Sequence, residues 1–124
     1  MTQEEKDLLL KDLCARLPYG VKFLRESWNY EWDQEMSVIE VLEDIDKDGY
    51  INNTKVYKVE DVKPFLFPLS SMTEEQKSIL SLCNAFIEPR SIELKLNFYN
   101  EQHIDYRGLI KKGLAIDATN LNIY

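Results

Sequence analysis

The stretch VLEDIDKDGYINN, residues 41–53, decides between two folds. As a calcium loop it would join two helices, and as a hairpin turn it would join two strands. A loop of the EF-hand kind places oxygen ligands at alternate positions, a glycine at position 6 and a bidentate glutamate at position 12. Counted from Asp44, the first half fits: Asp44, Asp46 and Asp48 alternate, Gly49 follows, and Ile51 sits at the usual aliphatic place. Position 12 is Lys55, a cation where the motif needs its strongest anionic ligand. The flanks SVIEVLE (37–43) and TKVYKV (54–59) are rich in β-branched residues, which favour strands. Asp-Gly between two such runs is a favoured hairpin turn, because glycine accepts the positive φ of a tight reversal. The hairpin is therefore expected and no metal site is assigned. Asp44, Asp46 and Asp48 are the residues that a weak calcium site would use.

Working outward, residues 19–67 read as a β region. YGVKFLRESW (19–28), MSVIEVLED (36–44) and TKVYKVEDV (54–62) alternate in part and carry aromatic and β-branched residues. WNYEWDQE (28–35) reads as a connection or a twisted strand end. Pro64 and Pro68 in VKPFLFPLSS (62–71) suit an edge or an extended crossover, since proline cannot donate to a ladder. The expectation is three or four antiparallel strands.

Helices flank this region. Thr2 and Glu5 form a capping box, and Leu9, Leu10, Leu13, Cys14 and Leu17 recur at helical spacing until Pro18, giving a helix over 2–17. Thr73 and Gln76 repeat the capping pair, and Ile79, Leu80, Cys83, Phe86 and Ile87 form a stripe that predicts a helix over 73–87, before Pro89. Residues 91–102 are ambiguous: Leu94, Leu96 and Phe98 alternate like a strand, whereas Ser91 as a cap with Ile92, Leu96 and Tyr99 on one face favours a helix. Gly108 and Gly113 punctuate the rest, and the last residues are expected to trail off. The resulting fold class is α+β, a single domain over 1–124 in which a small twisted antiparallel sheet packs with two or three helices. An SH3-like barrel is the alternative for the β region.

The chain has 124 residues, 44% of them hydrophobic and 30% charged, with a formal net charge of −7, the composition of a soluble globular domain. No apolar run approaches the length of a membrane span. The acidic, amphipathic start MTQEEKDLLLKDLC lacks the character of an export signal, so a cytoplasmic location and no membrane partner are expected. The negative charge disfavours binding to phosphate backbones, and RGLIKK (107–112) is the one small basic candidate. Cys14 and Cys83 are too few for a disulfide framework or a zinc site, and their helical positions suit cysteine as a small hydrophobe.

Three segments carry a resemblance: LLLKDLCARLPYGVK (8–22), VKPFLFPLSSMTEEQK (62–77) and HIDYRGLIKKGLAIDA (103–118). Together, and in this order, they resemble a family of small uncharacterised proteins of gut Bacteroides and their phages or mobile elements. In that family a leading helix ends in Leu-Pro-Tyr-Gly-Val, a KPYLRP-SSMTEEE-like passage precedes a helix, and a DYRGLI-GLA segment follows. This chain has Phe65 in place of the family's tyrosine and Phe67 in place of its arginine. The resemblance implies a bacterial or phage cytosolic setting and supplies no chemistry.

No catalytic constellation is legible, so no catalytic or cofactor-binding residues are nominated. His103 is the single histidine, Ser70 and Ser71 lie outside any G-x-S-x-G elbow, and no glycine-rich phosphate loop exists. Asp105, Tyr106 and Arg107 before Gly108 read either as a recognition surface or as an internal turn, with Tyr106 packing and the two charges pinning the chain. Trp28, Tyr30 and Trp32 share one face of an extended segment, as a partner surface or a lid on the core. These six residues form the candidate partner surface. The leading expectation is a non-catalytic accessory or interaction protein with a protein partner. The alternatives are a nucleic-acid-associated β module and a calcium-responsive domain using residues 44–51.

Overall fold

The computed structural model describes residues 1–29, 34–53 and 55–124, with the side chains of 26–29 and 34–36 outside the description. The fold is α+β. Helix α1 (Gln3–Arg16) leads into strands β1 (Lys22–Asn29) and β2 (Gln34–Val41), then the short pair β3 (Ile51–Asn52) and β4 (Val56–Tyr57). Strand β5 (Val62–Pro68), helices α2 (Glu74–Cys83) and α3 (Arg90–Glu101), and two-residue strands β6 (Ile104–Asp105) and β7 (Ile116–Asp117) complete the chain. Both capping boxes form as their sequences dictate. The Thr2 hydroxyl accepts from the Glu5 amide while the Glu5 carboxylate accepts from the Thr2 amide, and Thr73 and Gln76 repeat the exchange.

The main sheet has the order β2-β1-β5-β6, with β7 also on β5, and is open among the described residues, so the barrel alternative does not form. β1 and β2 pair antiparallel from Lys22↔Val41 to Asn29↔Gln34. β5 joins β1 antiparallel through Val62–Pro64 and meets β7 and β6 in parallel at 65–66 and 67–68. The sheet is therefore mixed rather than purely antiparallel. β5 is an interior strand, which corrects the edge placement expected from its prolines. Its residues change partner along its length, and none is paired on both sides in these registers, so a missing proline N–H does not interrupt two ladders at once.

Three further expectations are corrected. TKVYKVEDV contributes the two residues of β4, a 3-10 turn at Val59–Asp61 and the first residue of β5, Val62, rather than one continuous strand. The second helix ends at Cys83, and residues to Phe86 continue as tight turns with three-residue spacing. The tail is also held: the Ala118 amide donates to the Leu66 carbonyl at 2.8 Å, and the Tyr124 hydroxyl to the Phe65 carbonyl at 2.7 Å. Small buried residues, Ala115 and Ala118 beside Leu114, let this segment lie close to β5. The ambiguous segment is helical as α3, with Ser91 buried inside it rather than capping it.

The core gathers Leu9 and Leu13 of α1 with Val21, Phe23, Leu42, Ile51, Val62, Leu66, Leu109 and Leu114. Residues 44–52 reverse the chain as a hairpin, with Ile45 bridging Ile51 antiparallel and the Asn52 amide donating to the Asp44 carbonyl at 2.9 Å. Its tip rests on α1: Gly49 has φ +84°, and a Cβ built there would lie 3.1 Å from Leu10 Cδ2. The left-handed backbone favours glycine, and an added Cβ would require the Leu10 side chain to give by a few tenths of an ångström. Gly49→Ala is expected to cost about 1–2 kcal/mol, read from the urea midpoint. Gly108→Ala, with a similar φ of +74° but nothing within 4 Å of the added Cβ, should cost less. An unchanged midpoint for Gly49→Ala would mean that the tip does not rest on α1 in this conformation.

Candidate functional site

The inward face of α1 carries Leu9, Asp12, Leu13 and Arg16, the i, i+3, i+4, i+7 pattern of a buried stripe with two charges inside it. Asp12 and Arg16 are fully buried. Arg16 donates through Nε to Asp12 Oδ2 at 2.9 Å, through Nη2 to the Ile104 carbonyl at 2.6 Å and through Nη1 to the Tyr99 carbonyl at 3.3 Å. Arg107 Nη1 donates to the other Asp12 oxygen at 2.8 Å. One carboxylate thus binds two guanidinium groups, and one guanidinium bonds two backbone carbonyls from the end of α3 and β6. A fork-shaped donor set makes this arrangement available to arginine and not to lysine.

Asp105, Tyr106 and Arg107 turn towards this knot. Asp105 is buried and accepts from the Leu109 and Ile110 amides at 2.8 and 2.9 Å. Tyr106 stacks on Tyr99 with ring centroids 5.2 Å apart, and the guanidinium groups of Arg107 and Arg16 lie 4.6 and 5.5 Å from its ring centroid. Of the two readings of these residues, the placement matches the internal turn: Asp105 closes a turn, Tyr106 packs and Arg107 ion-pairs with Asp12. Within the basic segment 107–112, partly exposed Arg107 is engaged by Asp12, and Lys111 and Lys112 are exposed. The side chain of Trp28, with Tyr30 and Trp32, lies outside the described residues.

Sequence reading missed Asp12 and Arg16. The available signal was their four-residue spacing on the same face as Leu9 and Leu13, which a search for apolar periodicity alone passes over.

His103 is half-buried in a left-handed backbone conformation, φ 58°, and stacks on Tyr124 with centroids 3.9 Å apart. Burial, with the nearby charges of Arg16 and Lys22, lowers its pKa from 6.5 to about 4. Tyr124, whose hydroxyl also accepts from the Lys22 amide at 2.9 Å, is pushed up to about 12, mainly by burial. Among the described residues, Asn100 Oδ1, His103 Nδ1 and the Tyr106 hydroxyl are buried without a hydrogen-bond partner. Cys14 is not poised as a nucleophile. Cys14 is exposed on α1, not in the core as its apolar position suggested, and partial desolvation raises its thiol pKa, whereas an activated thiol needs a lowered one. Cys83 is only half-buried, and Ser71 Oγ donates to the Pro68 carbonyl at 2.7 Å, supporting the turn before α2.

In the aspartate turn, Asp46 is the structural member. Its Oδ1 accepts from the Asp48 and Tyr50 amides at 2.9 and 3.0 Å, and its Oδ2 from Asn52 Nδ2 at 3.2 Å. Hydrogen bonds to the charged form, the one from Tyr50 foremost, lower its pKa. Asp44 and Asp48 are exposed, and among the described residues no group of three or more His, Cys, Asp or Glu side chains is placed to hold a metal. An open cleft of about 380 Å³ lies beside this turn, lined by Gln3, Lys6, Asp48, Tyr50, Lys58 and Glu60 among others. Lys6 pairs with Glu60 there at 2.7 Å.

The second prominent surface is α2. None of its residues is buried. Ile79 is 41% exposed, Leu82 68%, Phe86 53% and Ile87 87%. The helix is held by its capping box, by α3 and by a hydrogen bond from Gln76 Nε2 to Gln102 Oε1 at 3.3 Å. Among the described residues no helix is long and apolar enough to cross a membrane. Comparison with protein-family models, with curated proteins and with solved structures finds no match to this chain.

The His103 environment sets a pH dependence. The folded protein holds this proton less tightly than the unfolded chain, so the stability tied to neutral His103 is present above pH 6.5 and is lost as pH falls towards 4. His103→Asn keeps a residue that tolerates positive φ. Its unfolding free energy should fall less steeply than the wild type's between pH 6.5 and 4. Parallel curves would show that His103 is not held neutral by the fold.

Proposed function

We propose that this chain is a non-catalytic interaction protein of a bacterial or phage cytosol, and that it docks protein through the exposed face of α2 and the turn after it. The observation that carries the reading is a set of apolar residues that face solvent, Ile79 and Leu82 on the capped helix α2 and Phe86 and Ile87 just beyond its end. A ten-residue helix is marginal without tertiary burial, and this one buries no residue fully. Leu82, Phe86 and Ile87 are each more than half exposed, so much of their apolar surface stays in water. The charged knot supports the same reading from the other side, since its carboxylate and both guanidinium groups are engaged within the fold. The cytosolic bacterial or phage setting rests on the resemblance of segments 8–22, 62–77 and 103–118.

The test is co-purification from a Bacteroides host that expresses tagged and untagged copies of the chain. The wild type should retain at least one stoichiometric species, and Leu82→Glu should lose it while keeping the urea midpoint. Retention of nothing, or of the same species by both, contradicts the reading.

A further inference from the structure

We propose that the notch between β1, β5 and His103, filled by the side chain of Tyr124, is a recognition site for a tyrosine presented by another polypeptide, and that residues 119–124 are a strap that occupies it in cis. This site is independent of the α2 face. β1 and β5 pair from Arg25↔Val62 to Phe23↔Pro64, so Lys22 and Phe65 would form the next pair. There the Tyr124 hydroxyl stands between the strands, accepting from the Lys22 amide at 2.9 Å and donating to the Phe65 carbonyl at 2.7 Å. It supplies the rung that the diverging backbones do not make with each other. A phenol can do so because one atom both donates and accepts, whereas a phenyl ring would leave both groups unmet. Burial raises the Tyr124 pKa, so the hydroxyl keeps the proton it donates.

The rest of the notch reads a tyrosine within a peptide. Its ring lies against His103, with centroids 3.9 Å apart and planes 12° from parallel, and 5.8 Å from the Phe67 centroid. Lys22 Nζ lies 5.7 Å from the ring centroid and donates to the Ile123 carbonyl at 2.6 Å. One lysine thus holds both the ring and the carbonyl of the preceding residue, a feature that a free phenol lacks. The strap itself is lightly held. Residues 119–122 are exposed, and the Thr119 and Leu121 amides bond locally, to Asp117 Oδ1 and the Ala118 carbonyl. Beyond Ala118, the described hydrogen bonds to β1 and β5 come from Ile123 and Tyr124. Tyr124 is 43% exposed, so a competing tyrosine can reach the notch from solvent as the strap lifts.

N-acetyl-tyrosinamide carries both features, its acetyl carbonyl standing for that of Ile123, and amide NMR of the full chain follows the Lys22 resonance. In Tyr124→Ala, which vacates the notch, millimolar probe should shift Lys22 saturably, and N-acetyl-phenylalaninamide should bind at least ~5-fold more weakly for want of the hydroxyl. The wild type should bind the probe at least ~10-fold more weakly than Tyr124→Ala, because the strap competes. 4-Methylphenol, which lacks the carbonyl, should also bind Tyr124→Ala more weakly than the probe does. Tyr124→Phe keeps the ring and loses only the hydroxyl, so the test survives a Tyr124→Ala chain that does not fold. Its Lys22 amide should exchange at least ~10-fold faster than in the wild type, and it should bind the probe more tightly than the wild type does. Unchanged Lys22 exchange in Tyr124→Phe, no saturable shift in either variant, or equal binding of the tyrosine and phenylalanine amides overturns the inference. 4-Methylphenol binding as tightly as the probe overturns the assignment to a polypeptide ligand.

Discussion

Arg16 binds the two ends of the chain together. Its guanidinium reaches Asp12 on its own helix and two carbonyls, of Tyr99 and Ile104, more than eighty residues away in sequence. A buried guanidinium is tolerated only if its charge is matched and its donors are used. That requirement fixes how α1, the end of α3 and β6 meet. Arg107 adds a second hold on the same carboxylate, and the turn made by Asp105 aims it there. Such a knot contributes less to net stability than its contacts suggest, because desolvation offsets much of the attraction. Its larger effect is on register, since a wrongly seated α1 would leave Arg16 or Asp12 buried without a partner.

The rest of the architecture follows from the same docking. With α1 seated, Leu9 and Leu13 meet Phe23, Ile51 and Leu66, and the hairpin tip lies against Leu10 through Gly49. The tail then lies along β5 as β6 and β7, with Tyr124 bonded to the Phe65 carbonyl and stacked on His103. The polar residues nearest the knot serve the interior. Helix α2, attached through α3, is among the elements that keep apolar residues outward-facing, with Ile79 and Leu82 exposed.

Local features were legible in the sequence because local chemistry determines them. Thr2 with Glu5 and Thr73 with Gln76 each fix a helix start within four residues, and Asp-Gly at 48–49 fixes a turn. The α+β class followed from the contrast between the capped, periodic ends and the β-branched middle. Non-local features were not legible. Nothing around Pro64 announces that β5 changes partners along its length, and nothing in residues 116–124 announces that they run along it. The choice between recognition surface and internal turn at 105–107 was open for a related reason. Asp105, Tyr106 and Arg107 are residue types common at interfaces, and only the position of Asp12, 95 residues away, turns them inward. The stripe at Ile79, Leu80, Cys83, Phe86 and Ile87 shows the reverse error: apolar periodicity implied burial, and Ile79, Phe86 and Ile87 stay open to solvent.

Asp12 and Arg107 are energetically coupled in the folded protein, holding the 105–110 turn against α1. A double-mutant cycle with Asp12→Ala and Arg107→Ala, measured by urea denaturation at pH 7, addresses it directly. The structure predicts a coupling of about 1–3 kcal/mol. Additivity within about 0.3–0.5 kcal/mol would show that the two do not interact and would contradict the inward closure of this segment.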